Sequence, residues 1–410
     1  MNSDNLTVKI IVGMFAGAIV GIIIRFIPGI TVIGNILTLG GDIFIALMKV
    51  LVVPIVLVSI VCGVCSLQKV SAVGNMGVKS LKWFMLTTAI AVVLAIVVAQ
   101  VFQIGMNLHL PEIAEFKAEA TLSFWQLISD IVPSNPVKAM ADANMLQIIV
   151  FALLLGVAIN IAGEAGRRIA AFFMDLNKVL MKFIMMLIRL TPYGVFCLLA
   201  VLFASQGFAL ILGILNYFLA VLFVLVVYVA VVYSLFLYLH QLSPKIFFRK
   251  IYTVVLFAFS VSSSNASIPL ALNTVKNKLG VADAITSFVV PLGFNMNKNG
   301  TAIMQSIAAV FISHAYNIDL GLMGDFVLFL MVMLGSFGTA GVPGVGIVTL
   351  VMILEQLGLP TEGIALIIGI DRLLDMMRTA VNVTGNAVVA CLVGKEEEQL
   401  DYSIFQESRS

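Results

Sequence analysis

Asp371-Arg-Leu-Leu-Asp-Met-Met-Arg-Thr-Ala-Val-Asn-Val-Thr-Gly-Asn386 is the stretch whose reading decides the fold. Asp371, Asp375, Arg378, Asn382 and Asn386 recur in it at i, i+4, i+7, i+11 and i+15. At 100° per residue these five stay within about 80° of one another. Leu373, Leu374, Met377, Val381 and Val388 occupy other faces. The run that contains them, Ile364–Val393, is otherwise apolar, so the pattern is a polar stripe on a membrane helix. An ionised group near the bilayer centre costs at least about 2.5–3.5 kcal/mol on insertion scales. The stripe must therefore face a cavity or partner groups. A structural Asp375–Arg378 ion pair alone would not need the amides and the threonine aligned with it.

Composition supplies the membrane. Of 410 residues, 61% are hydrophobic and 11% are charged, and the mean hydropathy is +1.13. Soluble proteins carry about 25% charged residues, so this chain cannot cover its surface with charge. A net charge of +2 excludes the basic footprint of a nucleic-acid binder. Cys62, Cys65, Cys197 and Cys391 all lie in apolar runs, which excludes a secreted disulfide framework. Lys9 precedes an apolar run, but Arg25 and Pro28 follow it in place of a small-residue cleavage site, so the run reads as a retained first helix.

Apolar segments long enough to span about 30 Å of hydrocarbon fall at Val8–Phe26, Ile43–Cys65, Phe84–Ile104, Leu146–Ile161, Val179–Phe203 and Phe208–Leu239. Basic residues at Lys69, Lys79 and Lys82, at Arg167 and Arg168, and at Lys245, Arg249 and Lys250 mark cytoplasmic loops, with the N-terminus on the same side. The acidic loop around Glu112, Glu115, Lys117 and Glu119 faces outward.

The pattern changes after Lys250. The apolar arm Ile251–Ser260 meets Ser262-Ser-Ser-Asn265, and a second arm starts at Ile268-Pro269. Later, Phe326–Leu334 meets Gly335-Ser-Phe-Gly-Thr-Ala-Gly-Val-Pro-Gly344, followed by Ile347–Leu357. Arms of this length are re-entrant rather than spanning. Each interrupted hairpin precedes a long polar-studded segment, Ala284–Ser313 and Ile364–Val393. That duplication points to a transporter built from inverted repeats. Within Ala284–Ser313, Asn295, Asn297 and Asn299 alternate with Phe294, Met296 and Lys298. Closely spaced asparagines favour non-helical backbone, which a membrane tolerates only where it lines a cavity or is buried in protein.

These motifs resemble the dicarboxylate/amino acid:cation symporter family across essentially the whole chain, most strongly at Gly338-Thr-Ala-Gly-Val-Pro-Gly344 and at Asp371–Gly385. The resemblance implies an all-α membrane protein of eight transmembrane helices and two re-entrant helical hairpins, an elevator-type transporter that forms homotrimers. It divides the chain into scaffold helices 1–2 (1–80), transport-domain helix 3 (81–106), scaffold helices 4–5 with transport-domain helix 6 (107–240), and a transport core of hairpin 1, helix 7, hairpin 2 and helix 8 (241–410). Asp375 matches the carboxylate that binds a substrate α-amino group, and Arg378 the clamp for a side-chain carboxylate. Thr301 and Thr379 match hydroxyl contacts, and Asn382 the amide at the α-carboxylate. Ser263 and Ser264, with Gly341 and Val342, match the backbone clamps at the two hairpin tips. Lys298, Asn297, Asn299, Asn386, Gly293, Thr87, Thr88, Ser336 and Thr339 fall at cation-site or coupling positions. The implied partners are aspartate or glutamate and the lipid bilayer, in a plasma or inner membrane, with no cofactor, no bound metal and no nucleic acid.

The departures from the family pattern concern cations. The signature Asn-Met-Asp-Gly-Thr is here Asn297-Lys298-Asn299-Gly300-Thr301, and a second family aspartate is Asn386. Two sodium-ligand carboxylates are lost and one ammonium is gained. Lys298, Asp371, Asp375 and Arg378 then sum to zero, and sodium beside a fixed ammonium is disfavoured: like charges at 4 Å repel by about 4 kcal/mol at an effective dielectric of 20. Lys298 is thus expected to replace sodium, with a proton-linked or an uncoupled exchange cycle both open, and to be the leading proton carrier if protons drive the cycle. A competing role is charge balance beside Asp375, since the arginine that relatives carry at hairpin 1 or in the eighth helix is here Ser262 or Met376. Thr87 and Thr88 match hydroxyl ligands of another sodium site of the family and leave residual cation binding open. The alternatives are a neutral amino acid or cystine transporter of the same family, and an amino-acid sensor that does not transport. A hydrolase using Ser262, Ser263 or Ser264 would need a base, and His109, His240 and His314 stand in no context that implies pairing.

Overall fold

The computed structural model describes residues 3–26, 31–66, 74–106, 108, 132–206, 209–336 and 345–407. Helices dominate them, and the described residues hold a single isolated bridge, between Val281 and Leu400. The first half comprises α1 (Ser3–Phe26), α2 (Thr31–Ser66), α3 (Asn75–Val101), α4 (Pro136–Ala141), α5 (Met145–Ile161), α6 (Gly163–Ile188), α7 (Thr191–Gln206) and α8 (Ala209–Val227). α8 continues through a π-helical stretch, Tyr228–Tyr233, into α9 (Ser234–Leu239). The second half comprises α10 (Pro244–Val261), α11 (Ile268–Asn277), α12 (Asp283–Met296), α13 (Asn299–Ala315), α14 (Gly321–Ser336), α15 (Val345–Gln356), α16 (Ile364–Ile368), α17 (Asp371–Glu396) and α18 (Tyr402–Gln406).

By length and composition α1, α2, α3, the α8–α9 run and α17 can each cross a membrane. The sixth candidate corrects a sequence expectation. Val179–Phe203 is two helices, α6 and α7, bent by 49° at Arg189-Leu190. Pro192 lacks the N–H that a continuous helix would need there and is tolerated only in a first turn. The first arm of the earlier hairpin is also longer than its apolar run, because Pro244 starts α10 well before Ile251. It stops at Ser262, whose left-handed backbone (φ 51°) ends the helix. Pro291 sits inside α12, and only Asn297 and Lys298 separate α12 from α13.

Two packing groups result. α1 lies along α7, and α2 packs against α5, α6 and α7. In the other group α17 packs against α10, α12 and α13, while α13 also packs against α3 and α8. Every residue of α13 is buried. The spanning part of α17 is 89% buried, against 18% for that of α1, so the polar stripe faces protein while α1 is mostly exposed. At the far end of α17, Lys79 pairs with Glu397 (2.6 Å) and the Trp83 indole donates to Glu396 (2.9 Å). The buried Lys250 amine donates to the carbonyls of Lys278 (2.8 Å) and Ile404 (2.5 Å), joining the base of α10 to α18.

Candidate functional site

The stripe on α17 and the break between α12 and α13 meet in the interior. Arg378 is 1% exposed and is held by two carboxylates of its own helix. Its Nη1 lies 2.9 Å from Asp371 Oδ1, and its Nε donates to Asp375 Oδ1 at 3.0 Å. Its Nη2 lies 2.9 Å from that same Asp375 oxygen. The other oxygen of Asp375 faces Arg372 Nη1 at 3.8 Å. Lys298, also buried, acts electrostatically on Asp375 from the unwound link. Three cations therefore act on Asp375, and with Asp371 the formal charges of these five residues sum to +1. The neutral sum expected above omitted Arg372. Its signal was available in the sequence as the i, i+3 spacing to Asp375.

α15 provides the opposite wall. A Cβ on Gly346 would sit 3.0 Å from Arg378 Cζ and Nη1, so the guanidinium lies flat against bare backbone. The Gly346 carbonyl accepts from Gln305 Nε2 (3.2 Å), whose amide also donates to Thr349 Oγ1. From α8, Tyr217 is fully buried with its hydroxyl unpaired, within the electrostatic reach of Asp371 and Arg378. Neither Gln305 nor Tyr217 was recoverable from spacing, because both meet the cluster only through tertiary packing.

The amides of the link are sorted by their partners. Asn299 Oδ1 accepts from the Thr88 hydroxyl (2.8 Å), and its Nδ2 donates to the Tyr233 hydroxyl (3.0 Å). Tyr233 in turn donates to the Val381 carbonyl (3.2 Å). Thr87 donates to the Trp83 carbonyl (2.8 Å) and lies 3.5 Å from Asn297 Oδ1, while Tyr228 donates to the Thr87 carbonyl (2.6 Å). Asn382 uses both ends of its amide. Its Oδ1 takes the Gly300 N–H (2.8 Å), one of the orphan donors at the start of α13, and its Nδ2 reaches Thr301 Oγ1 (3.3 Å). Both amide atoms of Asn386, and Nδ2 of Asn297, are buried without a hydrogen bond. Asn386 Oδ1 crowds Gly293, lying 2.7 Å from where a Cβ would stand.

The remaining sequence candidates divide. Thr379 is buried on α17 next to Arg378. Ser263 and Ser264 form the link between α10 and α11, where Ser263 Oγ accepts from the Ala266 N–H (3.4 Å). Ser336 turns to its own helix and donates to the Met333 carbonyl (2.7 Å). Thr339, Gly341 and Val342 lie outside the described residues, as does His109. His314 contacts the Ile104 carbonyl (3.0 Å) and Gln100 Oε1 (3.2 Å), and His240 contacts the Phe236 carbonyl (2.9 Å) and Glu396 (3.5 Å).

Residues 6–396 match the sodium:dicarboxylate symporter family. The chain belongs to that family. It is 35% identical to a proton/glutamate-aspartate symporter of Escherichia coli (strain K12), over 90% of this chain and 86% of that protein. Identity to a proton/sodium-glutamate symport protein of Bacillus subtilis (strain 168) is 32%, over 96% and 92%. A C4-dicarboxylate transport protein of Brucella anthropi is 31% identical, over 97% and 90%. The resemblance read most strongly from Gly338–Gly344 and Asp371–Gly385 is thus confirmed at the level of the sodium:dicarboxylate symporter family.

Proposed function

We propose that this chain carries aspartate or glutamate across a membrane without sodium, with Lys298 as a tethered cation in place of the ions. The arrangement of Asn299 supports this reading most directly. A cation site needs convergent oxygen lone pairs, preferably with negative charge. Here Asn299 presents an N–H to Tyr233 and spends its oxygen on Thr88, so these three side chains are paired with one another. The E. coli relative, a proton/glutamate-aspartate symporter, supports protons as the coupling ion. The B. subtilis relative names both ions, so the residues of this chain carry the argument.

Substrate binding then exchanges partners. The side-chain carboxylate takes the fork of Arg378, a geometry that suits bidentate recognition. The α-amino group takes Asp375, and Asn382 with Thr379 and the Ser263-Ser264 backbone receives the α-carboxylate. Asp375 would have no ammonium to bind in a C4-dicarboxylate carrier. In the proton-coupled form of the cycle Lys298 is protonated in the loaded carrier and releases its proton from the empty one. The charged group that acts on it is Asp375, from α17. The group α3 and α8–α18 moves as the transport domain against α1, α2 and α5–α7 in a homotrimer, N-terminus cytoplasmic, within a plasma or inner membrane.

Radiolabelled aspartate uptake into proteoliposomes tests the reading. Uptake should persist without sodium and be competed by glutamate more strongly than by neutral amino acids or cystine. Weak inhibition by unlabelled aspartate and glutamate would overturn the acidic-substrate claim. Binding without counterflow would make the protein a sensor.

A further inference from the structure

Arg372 is the one cation of the cluster that the family motifs do not place in a role. Its side chain is 15% exposed, and its Nη1 stands 3.8 Å from Asp375 Oδ2, on the side of the carboxylate away from Arg378. We infer that Arg372 is a specificity-determining residue: it sets the buried cluster at +1, so that only an occupant of net charge −1 brings the site to neutrality. An acidic amino acid, with two carboxylates and one ammonium, has that charge near neutral pH. A dicarboxylate dianion would leave the site at −1, and a neutral zwitterion would leave it at +1. Uncompensated charge in a desolvated interior is strongly penalised.

The geometry adds a positioning role. When a substrate ammonium displaces Arg378 from Asp375 Oδ1, Arg372 still faces Oδ2, so the carboxylate keeps its place while one of its oxygens changes partner. The inference rests on the acidic-substrate reading above, and the experiment separates the two. Binding of L-aspartate, its neutral isostere L-asparagine, and succinate is measured by competition on the purified full-length protein and on the Arg372→Gln and Arg372→Lys variants. The unmodified protein should prefer aspartate to both competitors. A charge removed within several ångströms at an effective dielectric of 20 predicts that Arg372→Gln shrinks the aspartate-to-asparagine ratio by about tenfold or more. Arg372→Lys, which keeps the charge, should restore that ratio. An unchanged ratio in Arg372→Gln, an equal fall for both ligands, or failure of lysine to rescue would overturn the inference while leaving the acidic-substrate reading intact. If Arg372→Gln does not fold, the unmodified protein decides: succinate bound as tightly as aspartate overturns it. Failure of the unmodified protein to bind aspartate or glutamate would instead sink the parent reading, and the inference with it.

Discussion

At the scale of single residues, two glycines separate binding from folding. On Gly300 a Cβ would stand 2.5 Å from the Arg378 carbonyl oxygen and 2.8 Å from its Cα, so alanine forces α13 and α17 apart. Overpacking of this kind costs about 1–3 kcal/mol or more. Gly300→Ala should lower thermal stability in detergent whether or not substrate is present. On Gly346 the Cβ would meet the Arg378 guanidinium at 3.0 Å, the end of a side chain that changes partners in the proposed binding step. Gly346→Ala should leave stability nearly unchanged and weaken aspartate binding, read by titration of the purified variant. The polar residues of α17 were legible in the sequence because apolar surroundings make each one expensive. Arg372 sits one step off the stripe, and only its i, i+3 spacing to Asp375 marks it.

Among elements, the anchor between α10 and α18 lends itself to a direct test. Lys250 donates to two carbonyls, and Phe405 (1% exposed) lies beneath its ammonium at 5.9 Å. Lys250→Met would leave both carbonyls without that donor, and an unsatisfied buried acceptor costs about 1–3 kcal/mol. Faster amide exchange in residues 278–282 and 400–406 is the expected outcome. α18 is capped by Asp401, whose carboxyl is held below the usual carboxylate range by the Ser403 hydroxyl and then by the Ile404 and Ser403 amides. A depressed folded value stabilises the cap above the ordinary carboxylate range, and the contribution is lost as pH falls through the lowered value. Exchange at Ser403 and Ile404 should therefore rise on strong acidification, and at neutral pH in Asp401→Ala. The broken helix was foreseen from its asparagines, although the unwound part shrinks to Asn297 and Lys298. The bend between α6 and α7 was missed because hydropathy averages across a break that one proline and two polar residues create.

For the whole molecule, the account is one of charge. A carrier crosses a bilayer most readily when its buried site is neutral, so loading and unloading have to be matched by something that moves with the substrate. In the proposed cycle Lys298 is the fixed charge that takes the place of mobile ions, with the uncharged amides Asn299 and Asn386 beside it in the sequence motifs. If Lys298 releases its proton when the site empties, uptake should increase as the outside is acidified, and Lys298→Met should abolish that response. Family membership and an all-helical membrane architecture were readable from motifs and composition. The wall formed by Gly346, Gln305 and Tyr217 was not, because it exists only once α8, α13, α15 and α17 come together. The most direct test is the affinity of the purified protein for aspartate, titrated from sodium-free to high-sodium buffer at constant ionic strength. The account predicts a flat response in the unmodified protein and weaker binding in Lys298→Met; affinity that climbs steeply with added sodium would contradict it.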